Sequence, residues 1–474
     1  MMATSKHNSV LLAAVLIAAA VLFSAIPSTH AAASASTPKK PRLGVSTVPS
    51  QVAVDAASVG FASVVFPLYG DVYPHGLYYA SMSIGDPPKP YFLDVDTGSD
   101  LTWLQCDAPC VRCSKGPHPL YKPTKNKLVP CQDPLCEAVQ RATGMRDENG
   151  CEPNQQCDYV VGYADQGSST GVLVRDGFTL RFSNGSLARP RLSFGCGYDQ
   201  QGIGPNAPAP TDGVLGLGRG KSSILSQLSD ARLTRNVVGH CLGRHGGGYL
   251  FFGDGLVPGS GVTWSPMARS TALAKYYSPG QASIYFGTKS LGVRQQQMVF
   301  DSGSSFTYFA LQPYQSLLNA ITKELSGKPI KETHEDRALP VCWKGPKAFK
   351  SIFDVKTYFK SLVLNFVNGK KAFMEIPPEN YLIVTNHGNA CLGILNGTEV
   401  GLKDLNLIGD ISMQDLMVVY NNENQQIGWV RGSCDRLPNA DDDDDDNGFK
   451  SEGGHFEPQF LYQISALSLI FNNQ

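Results

Sequence analysis

Two short runs of this sequence place a carboxyl in the same setting. Phe92 to Trp103 reads FLDVDTGSDLTW and Val299 to Phe309 reads VFDSGSSFTYF, so Asp96 and Asp301 each follow apolar residues, precede Thr or Ser, Gly and Ser, and lead back into apolar residues. One such motif is an ordinary strand end, in which Asp and Ser bond to nearby backbone and Gly takes a positive φ. Its duplication in matching context says more. A carboxyl in a buried turn between two strands must find hydrogen bonds or a partner charge, and two turns facing each other would make that partner the second carboxyl. Neighbouring carboxylates do not both ionise, so one proton is shared and a base and an acid stand together. Such a pair can draw a proton from a water attacking an amide carbonyl and protonate the carbonyl oxygen, with no metal, cofactor or nucleophilic side chain.

The elements around these turns are strands. From Gly76 onward, segments such as LYYASMSIG, YVVGYAD, GVLVRDGFTLRF, RLSFGCG, YLFFGD and LVLNFV are rich in β-branched and aromatic residues and are broken every 8 to 12 residues by Gly, Pro, Asn or Asp, the signature of an all-β chain. Helical periodicity is confined to short stretches, SSILSQLSD near 222 and LQPYQSLLNAITKEL from 311 to 325. GLGRGKSS from Gly216 has the outline of a phosphate loop, but its first glycine would have to stand where Leu215 is, so no nucleotide site is implied.

The chain has 474 residues, with 40 Lys plus Arg against 41 Asp plus Glu. That balance offers no field to nucleic acid or an anionic membrane. Lys6 and His7, the apolar run Val10 to Phe23 and the small residues after it read as a secretory signal over 1–31, cleaved near Ala31 or Ala33; the run is too short to span a bilayer. Residues 32–75 read as a propeptide or leader. Twelve cysteines fit an oxidising space. Cys110 and Cys113 are spaced CxxC and His118 follows, but no second pair completes a zinc set, so disulfides are expected and no metal. Asn184 and Asn396 open Asn-x-Ser/Thr sequons. Residues 436–474 read as an acidic linker, with six consecutive aspartates, and an apolar tail too short to span a membrane.

From Gly76 to Cys434 the sequence resembles the pepsin-like aspartic proteases, and within them the plant nucellin-like and nepenthesin-like branch. DTGSDLTW and DSGSS match the two catalytic turns. The resemblance implies catalytic roles for Asp96 and Asp301, support from Ser99 and Ser304, and Trp103 as a pocket aromatic. YVVGYADQGSSTGVL is similar to the hairpin flap that closes the cleft, with Tyr163 over the substrate and Asp165 and Gly167 in the turn. DGVLGLG from Asp212 and LNLIGD from Leu405 resemble the apolar-Gly segments that pass each catalytic turn, where glycine lets one backbone lie close against another. Each half thus carries turn, strands and thread in one order, about 205 residues apart, a divergent repeat. The expected fold is all-β and bilobal, with an N-terminal lobe over 76–265, a C-terminal lobe over 266–435 and one cleft between them.

CDAPCVRCSKGPHPLYKP and CQDPLC resemble the disulfide-pinned insertion of the plant branch. The resemblance implies pairs Cys342–Cys391 and Cys196–Cys434, with Cys131 and Cys136 nested against Cys157 and Cys151, and Cys241 unplaced. Two departures stand out: Gln166 precedes Gly167 in the flap, and no long saposin-like insertion lies between Asp301 and Cys434. The resemblance implies a monomeric acid endopeptidase acting on protein or peptide substrates, without cofactor, in a cleft lined by Trp103, Tyr163, Phe306 and Tyr308. The expected compartment is the secretory pathway, ending outside the cell or in the vacuole. The alternative is a catalytically silent binding protein of the same fold; the presence of both aspartates and the flap tyrosine favours the enzyme. A glycosidase also uses paired carboxyls but needs neither symmetric turns nor a flap.

Overall fold

The structure, a computed structural model, describes residues 62–437 apart from 144–151, 153–154, 165–166, 202–208, 271–272, 337–338 and 368–371. The signal segment, most of the leader, Asp165, Cys151 and the acidic tail lie outside the described residues. Those described belong to one compact unit.

Alternating strands build the lobes. Leu77–Ile84 buries every second residue, so one face meets the core and the other does not. Val237–Leu242 is buried along its whole length and Leu416–Asn421 over its first five residues, as continuous apolar runs covered on both faces must be. These last two pair antiparallel toward one end of a fourteen-stranded sheet that takes strands from both halves of the chain. Strands of eight and four complete the described sheets. The helix Leu311–Leu325 has the bounds its periodicity predicts, and it buries Tyr314, Leu317, Ile321 and Leu325 on one face.

The sheet moves two of the expected boundaries. Val64–Asp71, placed by composition in the leader, pairs with both Gly248–Phe252 and Leu77–Ile84; the folded part begins before residue 76. Thr263–Pro266 pairs with Gln426–Arg431, so a lobe boundary at 265/266 cuts a strand of the shared sheet.

The two halves repeat one arrangement around their turns. Lys89–Asp96 lies parallel to Gly213–Gly216, and Trp103–Gln105 returns antiparallel on the other side of that strand. Gln296–Phe300 lies parallel to Leu405–Ile408, and Thr307–Phe309 returns in the same way. Each returning strand then pairs in parallel with a further one, Arg191–Gln201 or Ile394–Asn396. The apolar-Gly threads are therefore the strands clamped between the two arms of each turn. A Cβ on Gly216 would lie 2.6 Å from the Asp100 carbonyl carbon, and one on Gly409 2.0 Å from the Phe306 carbonyl oxygen, so only glycine permits that approach.

Register also decides the disulfides. Cys342 and Cys391 stand opposite each other on paired strands and are bonded. The expected Cys196–Cys434 pair does not form. Leu104 lies opposite Cys196 in the parallel pairing, which brings Cys106 beside Cys196, and these two are bonded. Cys434, beyond the last strand of the shared sheet, bonds instead to Cys241. The nested set is corrected as well: Cys136 bonds Cys157, not Cys151, and Cys131 is disulfide-bonded too. Cys110 bonds Cys113, which removes both thiolates from any zinc set.

Candidate active site

The two turns meet at their second residues. Thr97 N–H donates to Ser302 Oγ (3.1 Å) and Ser302 N–H donates to Thr97 Oγ1 (3.0 Å), while Ser302 Oγ donates to the Val95 carbonyl (2.8 Å). Both side chains are buried, where an unpaired partner would cost about 1–3 kcal/mol. These reciprocal bonds fix one turn against the other.

The carboxyls are held alike. Asp96 accepts from Gly98 N–H (2.8 Å) and from the Ser99 hydroxyl; Asp301 accepts from Gly303 N–H (3.0 Å) and the Ser304 hydroxyl (2.9 Å). The glycines show how close the two come. A Cβ on Gly98 would lie 2.5 Å from Asp301 Oδ1, and a Cβ on Gly303 would lie 2.5 Å from Asp96 Oδ1. Each turn's glycine thus leaves the space that the other turn's carboxyl occupies. Burial pushes both carboxyls above the usual range. Bonds from the serine and glycine of each turn oppose that push on both carboxyls, but the interaction between the two lowers Asp96 and, through the charge of Asp96, raises Asp301. These causes favour the shared proton on Asp301.

Asp158–Gly162 and Ser168–Arg181 form the expected hairpin, Gly162 opposite Ser168. Tyr163 follows the first strand, and its hydroxyl accepts from Trp103 Nε1–H at 2.5 Å. Asp165 lies outside the described residues. Phe306 does not line a cleft: it is 7 % exposed and packs in the core. The glycine-rich loop with the outline of a phosphate loop holds a carboxylate of the chain itself, Gly220 N–H donating to Asp100 Oδ1 (2.8 Å).

Two acids beside the pair escaped the sequence reading. Asp94 bonds Thr211 and is pushed up to about 7, mainly by burial. Asp410 is pushed well above the carboxylate range by burial first and then by the charges of Asp301, Asp94 and Asp96; its N–H donates to the Ser304 carbonyl (2.8 Å). Strand period alone places Asp94 on the face of Asp96, two residues on. Asp410 follows the thread glycine, a position whose proximity to the pair only the fold reveals.

Duplicated turns, one buried pair of aspartates and a hairpin flap define an aspartic peptidase of pepsin-like fold. The chain matches the family Xylanase inhibitor N-terminal over residues 78–254 and the family Xylanase inhibitor C-terminal over residues 280–431. It is 50% identical over 389 residues to an aspartic proteinase of Oryza sativa subsp. japonica, covering 80% of this chain and 93% of the relative. Among solved structures it resembles basic 7S globulin from soybean (TM-score 0.61, 18% identity, 78% of this chain and 95% of that one). It also resembles an aspartic proteinase from Irpex lacteus (TM-score 0.56, 16% identity, 78% of this chain and 98% of that one). The chain belongs to the plant pepsin-like aspartic proteases, and it is an aspartic-type endopeptidase. Its disulfides are consistent with a secretory or vacuolar location.

Proposed function

We propose that the chain cuts peptide bonds at acid pH, with a water held between Asp96 and Asp301 and with bulky apolar residues preferred around the scissile bond. Asp96, ionised, takes a proton from the water as its oxygen attacks the amide carbon. Asp301, protonated, gives its proton to the carbonyl oxygen. The resulting diol collapses as the C–N bond breaks, one hydroxyl proton returns to the pair and the amine leaves protonated. The observation that carries this reading is the mutual fit of the turns, in which Gly98 and Gly303 each make room for the opposite carboxyl. Tyr163 closing over the substrate from its bond to Trp103, and the aromatic character of both, support the apolar preference. With the mechanism go a secretory route to the cell exterior or vacuole, release from a leader, and glycans at Asn184 and Asn396.

The test is cleavage of an unfolded protein from pH 3 to 7 by the purified chain and by Asp301→Asn, with and without a statine-type inhibitor. Acid activity lost in the variant and in the inhibited enzyme supports the mechanism. A folded chain that cuts nothing overturns it in favour of a binding protein of the same fold.

A further inference from the structure

A histidine that the mechanism does not use lies on the sheet shared by the two halves. His240 is on Val237–Leu242 and Tyr420 on the strand beside it, Leu416–Asn421; His240 stands opposite Val418, and Val238 opposite Tyr420. Positions in register share a face of a sheet, so His240 and Tyr420 are diagonal neighbours on one face. The sheet separates two cores. Val238, Leu242, Val418 and Tyr420 belong with Phe300 to one buried cluster, whereas Val237, Cys241, Met417 and Val419 belong to another on the opposite face. His240 therefore faces the core that carries Phe300, the residue before Asp301.

Its surroundings are apolar and its bonding is one-sided. His240 has no exposed surface, and the residues opposite it on the two neighbouring strands are Val418 and Leu250. Burial pushes its pKa down to about 3, so the imidazole stays neutral at acid pH where an ordinary histidine is charged. Nδ1 has no hydrogen-bond partner, and Nε2 lies 3.0 Å from the Tyr420 hydroxyl. That hydroxyl donates to Met413 Sδ (3.8 Å) and bonds the Thr97 side chain, whose oxygen accepts from Ser302 N–H. With its own proton on the sulfur, the Tyr420 oxygen has two lone pairs left, which the His240 Nε2–H and the Thr97 hydroxyl fill. A chain of hydrogen bonds thus runs from His240 through Tyr420 to Thr97 and the contact between the two turns. The Tyr420 ring also meets Phe300 edge-on, with 6.3 Å between centroids. An aliphatic side chain would fill the position of His240 without leaving a buried nitrogen unpaired. Packing therefore does not account for the imidazole, and its bond to Tyr420 does.

We propose that His240 is a positioning residue: its Nε2–H fixes the Tyr420 hydroxyl, which orients Thr97 and so holds the first catalytic turn where Asp96 meets Asp301. This inference rests on the proposed peptidase mechanism and adds to it a residue that touches neither substrate nor water. Because His240 makes no contact with the substrate, its loss falls on kcat and leaves KM alone.

The experiment compares two replacements of one shape in the full active chain. Gln and Met have nearly the same length and branching, but only Gln carries an N–H to offer Tyr420. A shift of about half the 1 Å that costs on the order of 100-fold gives a loss of about tenfold. With an internally quenched peptide at pH 4, we therefore expect His240→Met to lower kcat about tenfold with KM within about twofold of wild type, and His240→Gln to keep kcat within about threefold. Tyr420→Phe should lose about tenfold as well, and the double variant His240→Met with Tyr420→Phe no more than either single one. Each variant is melted alongside. A His240→Met enzyme that melts lower yet keeps its kcat has lost only structure, and overturns the inference. So does an equal loss in the Met and Gln variants, or a double variant whose losses multiply. Should neither His240 variant fold, Tyr420→Phe, which removes a single hydroxyl, decides by itself, and an unchanged kcat there overturns the inference. A wild type that cuts neither the peptide nor unfolded protein marks failure of the peptidase mechanism instead.

Discussion

Gly303→Ala isolates the geometry of the pair. The added Cβ would stand 2.5 Å from Asp96 Oδ1, 2.8 Å from its Cγ and 3.3 Å from Asp301 Oδ1. A carbon and an oxygen without a bond between them rest at roughly 3.3 Å or more, so Asp96 or the turn must give by about 0.8 Å. Asp96 cannot swing freely, because Gly98 N–H and the Ser99 hydroxyl hold its two oxygens. Overpacking of this kind costs about 1–3 kcal/mol of stability, which a chain of this size survives folded. Catalysis is less tolerant, since a displacement near 1 Å costs on the order of 100-fold. The expected result is therefore a folded protein with kcat reduced about 100-fold, read by steady-state kinetics beside a thermal melt. Gly98→Ala should behave alike, with its Cβ 2.5 Å from Asp301 Oδ1. Retention of kcat within threefold in either variant, with a native melt, would refute the argument that these glycines exist to admit the opposite carboxyl.

Three further outcomes follow from the same contacts. The Ser304 hydroxyl lowers the pKa of Asp301, so Ser304→Ala raises it; the pair then keeps its proton to higher pH, and the alkaline limb of the kcat/KM profile moves upward relative to wild type. Asp410, whose folded pKa lies well above its ordinary value, costs the native state stability as pH rises above the unfolded carboxyl's value near 4. Asp410→Asn should thus melt at the same temperature as wild type near pH 3 and at least about 2 °C higher at pH 7, by calorimetry. Cys241 and Cys434 close a loop of 193 residues, for which chain entropy gives about 5 kcal/mol; Cys241→Ser should lower the denaturation midpoint far more than Cys110→Ser, whose bridge spans a sequence separation of 3.

The sequence by itself determined the chemistry and the fold class. Matching short motifs around Asp96 and Asp301, each between apolar strands, can be found by inspection because both halves of the site are written locally, and so can the thread glycines and the Leu311–Leu325 helix. Segments of β-branched and aromatic residues broken by Gly, Pro, Asn or Asp likewise announced the strands, since strand preference and turn chemistry are local. The tertiary structure decided whatever depends on which distant segments become neighbours. Cysteine pairing is the clearest case. Register sets Cys106 beside Cys196, and the course of the chain after the shared sheet leads Cys434 to Cys241, and neither fact is encoded near those cysteines. Val64–Asp71 looked like leader because its strand character is confirmed only by partners at both ends of the first lobe. Phe306 sits beside a catalytic turn in sequence yet packs in the core, because the distant segments that cover it are brought there only by the fold. Asp94 and Asp410 are ordinary acids in one dimension; they acquire their shifted protonation because folding buries them against the same pair of aspartates.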